Sequence, residues 1–141
     1  MQAAPPAQTA LDSVGARSRV PASMAAEFVH LHVHSEFSML DGAIRIPRLV
    51  EHVGKMGMPA VALTDNGNMF GAVQLVRACQ GTDVKPILGC EVGFTSGDRC
   101  DPQNREQNHL LLLAASQEGY QNLVRLVSAG WVDGMTADEH P

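Results

Sequence analysis

Between Phe28 and Gly134, short apolar runs of strand length alternate with stretches whose apolar residues recur at helical spacing. That alternation constrains the fold more than any other feature of the chain. FVHLHVHS (28–35) has strand character: Val29, Leu31 and Val33 fall on one face, His30, His32 and His34 on the other, because successive strand side chains point to opposite sides. PRLVEHVGKMG follows with Leu49, Val50, Val53 and Met56 at helical spacing, Pro47 suited to the first turn and Gly57 to the stop. PAVALTD (59–65) is a short apolar run ending in an acid, as a buried parallel strand would be. NMFGAVQLVRACQ predicts a second helix with Phe70, Val73 and Val76 on one side, and VKPILGCEV a third strand that again ends in an acid. After a polar loop over 94–108 comes NHLLLLAA, a fourth strand. Ser116 can cap a last helix in which Tyr120, Leu123, Val124 and Val127 follow the i, i+3, i+4, i+7 pattern. The pattern argues for an α/β fold of βαβ units around a parallel sheet. Residues 1–26, rich in Ala, Pro and Ser and without lasting periodicity, are expected to be a disordered extension, with Met24 as an alternative start and order beginning near Glu27.

Composition narrows the function classes. A 141-residue chain with 45% hydrophobic and 18% charged residues has the make-up of a water-soluble domain with a moderate core. Ten Lys and Arg against fifteen Asp and Glu leave a net charge of -5, and no cationic run offers a phosphate-binding footprint, so strong DNA binding by this segment alone is not expected. Cys79, Cys90 and Cys100 lack CxxC spacing. They predict reduced thiols in a cytoplasmic protein rather than a disulfide framework or zinc ribbon. No apolar run approaches the roughly 20 residues of a membrane span, and the N-terminus has no continuous apolar signal core. A GxxxxGK[ST] phosphate loop is absent, as is any identifiable polymerase carboxylate motif.

In parallel α/β folds, function collects at the carboxyl ends of the strands. His32, His34, Asp65 and Glu91 all fall at or near such ends, whereas His109 opens its strand. Any single acid could merely cap the next helix, as Asp65 could before NGNMF. The set as a whole, with two imidazoles at period two, favours a metal site.

The blocks HLHVHSEFSMLDGA, GMPAVALTDNGNMFGAV, VKPILGCEVGF and NHLLLLAASQEGYQNLVRLVS resemble the PHP (polymerase and histidinol phosphatase) family. More narrowly they resemble the N-terminal PHP domain of bacterial DNA polymerase III alpha subunits, over nearly everything from Phe28 to about Gly134. The resemblance implies a distorted (βα)7 barrel with three metal ions at the carboxyl ends of its strands, residues 27–141 forming part of that domain. Position by position, it implies His32 and His34 as a first pair of ligands, Asp41 as the acid after the following loop, Glu91 as a bridging carboxylate and His109 as the histidine of the next strand. His30 is given a hydrogen-bonding role at the strand start, and Asp65 the orienting of ligands from outside the coordination sphere. His and carboxylate donors suit zinc best, with manganese or iron also accommodated.

Two departures bear on catalysis. The family's TDHG reads TDNG here, so Asn66 stands where a ligand histidine is expected, and an amide oxygen is the weaker donor. The family's later ligands, a cysteine and a closing Asp and His, would lie beyond Pro141; Asp133, Asp138 and His140 do not replace them. The chain is therefore expected to be the front of a polymerase alpha subunit, with a metal-binding scaffold and residual 3′–5′ exonuclease or phosphoesterase activity. Its expected partners are the rest of that subunit, other replisome subunits and a proofreading exonuclease, with DNA reached only through the full protein and no membrane. The alternatives are a stand-alone metallophosphoesterase, of histidinol- or nucleotide-phosphatase kind, and a metal-dead structural or interaction domain.

Overall fold

The computed structural model describes residues 28–98, 101, 103–104 and 108–133, so the extension expected over 1–26 lies outside the described residues, as do Cys100, Asp138 and His140. Among the described residues the elements are, in order, α1 (Ile46–Lys55), β1 (Ala60–Leu63), α2 (Ala72–Cys79), β2 (Lys85–Phe94), β3 (Asn108–Leu113) and α3 (Gln117–Asp133). The sheet order is β1-β2-β3.

Helix α1 forms where its sequence predicts. Pro47 occupies its first turn, and Ile46, Leu49, Val50 and Val53 make the buried stripe. It ends in a Schellman motif: Met58 N–H donates to the Val53 carbonyl at 3.1 Å and Gly57 N–H to that of Gly54 at 3.0 Å. Gly57 takes the left-handed φ of +70° that this turn requires. Strand β1 is buried throughout and pairs in parallel with β2, Ala60 opposite Lys85 and Leu63 opposite Leu88. Between them α2 covers the sheet with Ala72, Leu75 and Cys79. Gly71 is small because a Cβ there would come within 2.7 Å of both Ile46 Cδ1 and Leu63 Cδ2, so α1, α2 and β1 close on one another at this point. The core comprises Ile46, Leu49, Val50, Val53, Val61, Leu63, Leu75, Cys79 and Val84, flanked by Val33, Phe37 and Leu88.

Four expectations need correction. The segment FVHLHVHS is not a continuous strand: it makes only isolated parallel bridges, His30 with Val61 of β1 and Ser35 with Ile44 just ahead of α1. The cause is side-chain substitution of the ladder. Ala62 and Thr64 N–H groups donate to the His30 and Val33 carbonyls, but Val33 N–H donates to Thr64 Oγ1 at 2.9 Å and Ser35 N–H to Asp65 Oδ1 at 2.6 Å. Leu31, on the same strand face as the core-packed Val33, is exposed.

Secondly, β3 is antiparallel to β2, with Gly93 opposite His109 and Gly89 opposite Leu113. Among the described residues no helix stands between β2 and β3, and a parallel return requires a long crossover whereas an antiparallel one needs only a loop. The sheet is therefore mixed, and the described residues show three strands of it rather than a closed barrel.

Thirdly, α2 begins at Ala72, because Asn68 Oδ1 accepts from Phe70 N–H at 3.2 Å and holds the preceding residues in a turn. Its core face is Ala72, Leu75 and Cys79, leaving Phe70, Val73 and Val76 exposed. Fourthly, α3 buries Leu123 while Val124 is exposed. Its start agrees with expectation, Ser116 Oγ accepting from Gly119 N–H at 3.1 Å.

Candidate metal centre

Glu91 is the hub of the site. It lies towards the end of β2 with its side chain about nine-tenths buried, and three imidazoles turn towards its carboxylate. His32 Nε2 and His34 Nε2 both meet Oε2, the latter at 2.8 Å, while His109 Nδ1 meets Oε1 at 2.6 Å. The period-two spacing explains the first pair: with Val33 turned to the core, His32 and His34 share the opposite side, their ring centres 5.1 Å apart. The antiparallel direction of β3 explains the third. A residue that opens β3 lies beside the end of β2, which is how His109 reaches the same carboxylate.

Burial by itself pushes the Glu91 carboxyl up, but hydrogen bonds from His32 and His34, the attraction of His32 and the bond from His109 outweigh it and hold the group below the ordinary glutamate value. Glu91 is also fixed through its backbone. Its N–H donates to the Asp65 carbonyl at 3.1 Å and its carbonyl accepts from Gly67 N–H at 2.7 Å.

Among the described residues, the ligand atoms of His32, His34 and Glu91 lie within 4.8 Å of one another, and Asp41 is outside that group. Asp41 is exposed and meets Asn66 instead, whose Nδ2 donates to its Oδ2 at 3.3 Å. Asp65 is buried and touches no imidazole of the cluster by hydrogen bond; it accepts from Ser35 N–H (2.6 Å), Ser35 Oγ (2.9 Å) and Ser38 Oγ (2.7 Å). It thus staples the end of the histidine segment and the loop after it to β1. His30 bonds through its carbonyl, which accepts from Ala62 N–H at 2.8 Å, and its ring packs edge-on to Phe28.

Residues that sequence reasoning missed are Ser35 and Ser38, which satisfy Asp65, and Thr64, which replaces part of the strand ladder. The available signal was physical: a buried carboxylate demands donors, and serines flank the loop EF in HSEFS.

The donor set fits a divalent ion. Two imidazole nitrogens converge on one carboxylate oxygen and a third imidazole on the other. Nitrogen and carboxylate donors of this kind match zinc, manganese or iron, and the two oxygens of one carboxylate allow it to serve two ions.

The model of the PHP domain matches residues 30–141. DNA polymerase III subunit alpha of Treponema pallidum is 44% identical over 112 residues, 77% of this chain and 10% of its own. The corresponding subunits of Aquifex aeolicus and Pseudomonas aeruginosa are 39% and 40% identical over 79% and 82% of this chain. The chain spans about a tenth of the length of these curated relatives. Among solved structures, a Bifidobacterium adolescentis protein provisionally assigned as a metal-dependent phosphoesterase superposes with a TM-score of 0.50, at 22% identity, over 73% of this chain and 34% of its own. An amidohydrolase from Chromobacterium violaceum gives a TM-score of 0.51 at 22% identity, over 72% and 34% of the two chains. At that identity these two speak for the fold alone. With its family model matched over nearly all the described residues, the chain belongs to the PHP domain family.

Proposed function

We propose that the chain is the PHP portion of a bacterial replicative DNA polymerase III alpha subunit, a cytoplasmic DNA-directed DNA polymerase, and that its histidine–glutamate cluster holds divalent metal. The observation that carries the reading is the 39–44% identity with three such subunits over about four-fifths of the chain. Residues 27–141 then supply the front of a distorted (βα)7 barrel, and the 1–26 extension precedes it. His32, His34 and Glu91 hold one ion, zinc being the best suited, with His109 on the far oxygen of Glu91 available to a second. Asp41 serves as a further ligand, and Asp65 orients the histidine segment from outside the coordination sphere.

Metal bound at such a site activates water and neutralises charge on phosphoester oxygens. What the chain's own residues contribute is a carboxylate fixed through both its side chain and its backbone, and imidazoles aimed from two directions. The partners are the remainder of the polymerase chain, replisome subunits and a proofreading exonuclease. Sequencing the source transcript downstream of Pro141 tests the assignment. An in-frame continuation carrying polymerase carboxylates is the expected result, and a stop codon directly after Pro141 would remove the polymerase reading.

One observation favours a second reading, a scaffold without catalysis. Asn66 stands where the resemblance implies a ligand histidine, and its amide donates to Asp41, which occupies that carboxylate with a hydrogen bond. Residual hydrolysis of a 3′-terminal phosphodiester, retained in wild type and lost in His34→Ala, would decide for the catalytic form.

A further inference from the structure

We infer that Trp131, near the end of α3, is a positioning residue that latches the β1–α2 loop beneath the metal centre; the metal arm of this inference rests on the reading of the cluster given above. The indole N–H of Trp131 donates to the Gly67 carbonyl at 2.6 Å. Gly67 N–H in turn donates to the Glu91 carbonyl at 2.7 Å. Two hydrogen bonds in series therefore join α3 to the backbone of the residue that gathers the imidazoles. Gly67 can serve both partners because its φ of +65° lies in the left-handed region, which a glycine adopts without steric cost.

The same loop carries Asn66, whose backbone N–H donates to Ser38 Oγ at 2.9 Å and whose amide meets Asp41 at 3.3 Å. Asn68 ties it to the preceding loop through the Phe37 carbonyl at 3.1 Å. Those tethers come from segments next to the site, whereas Trp131 brings in an element 64 residues further along the chain. Its ring also lies 6.1 Å from that of Phe70, so packing and hydrogen bonding coexist at this contact. They can be separated: indole N–H is purely a donor, and phenylalanine keeps an aromatic ring without it.

The chain has one tryptophan, so Trp131 is its own reporter in the wild type. Three proteins are compared as full chains: wild type, Trp131→Phe and Phe70→Ala. In metal-free protein, amide hydrogen exchange over residues 66–68 should accelerate in Trp131→Phe and not in Phe70→Ala. On titration with zinc or manganese, read by competition with a chromophoric chelator, Trp131→Phe should bind about 10-fold more weakly while Phe70→Ala binds as wild type. Addition of the ion should also shift the wild-type tryptophan emission. Unchanged exchange over 66–68 in Trp131→Phe overturns the latch, as does Phe70→Ala reproducing both losses. A wild type that binds no ion ends the metal reading, and the exchange comparison then still decides the latch.

Discussion

Asp65 is a carboxylate kept at 1% exposure by three donors, from Ser35 N, Ser35 Oγ and Ser38 Oγ. Replacing it with alanine leaves those donors without an acceptor, and a loss of about 3–5 kcal/mol in a urea unfolding experiment is expected. Asp65→Asn should cost less, about 1–2 kcal/mol, because Ser35 Oγ can accept from the new amide while keeping its bond from Phe37 N–H. Equal losses in the two variants would show that charge, not hydrogen-bond satisfaction, holds this joint. Leu40 presents the opposite case. It is fully exposed with a φ of +92°, a conformation that penalises a Cβ. Leu40→Gly should raise stability by about 0.5–1 kcal/mol, measured as a higher urea midpoint. At this scale the acids and histidines were legible because their residue types stand out in apolar runs. The serines were not, because they meet Asp65 only when segments 27–30 residues apart close on each other.

The elements divide by what determines them. Helix α1, β1 and the capped start of α3 could be read from periodicity and from Pro47, Gly57 and Ser116, since local chemistry fixes them. The face of α2 could not: Leu75 and Val76 are both apolar, and only the positions of α1 and β1 select Leu75 for burial. Nor could the direction of β3, which depends on what fills the connection from β2. That error concealed why His109, at the start of its strand, belongs with Glu91. The buried cysteines of α2 and β2 give a prediction at this level. Burial raises the Cys79 thiol and pushes the Cys90 thiol up to about 11, so both stay protonated and unreactive at neutral pH. Iodoacetamide at pH 8 followed by peptide mapping should leave Cys79 and Cys90 unmodified until denaturant is added. The sign for stability follows: a folded value above the unfolded one favours the protonated fold, so stability is full below about pH 8.5 and falls as pH rises towards 11. Cys90→Ala should flatten that decline.

For the molecule as a whole, the mixed sheet matters because it brings the end of β2, the start of β3 and the histidine segment beside β1 to one place. Helices α1 and α2 supply the core beneath that meeting point, and no helix among the described residues is long and apolar enough to cross a membrane. We propose that this convergence holds divalent metal, and elemental analysis of protein purified without chelators is the direct test. About one or more ions per chain are expected, lost in the His32→Ala, His34→Ala double variant. A metal-free wild type that folds as well as the same protein supplied with zinc or manganese would contradict it.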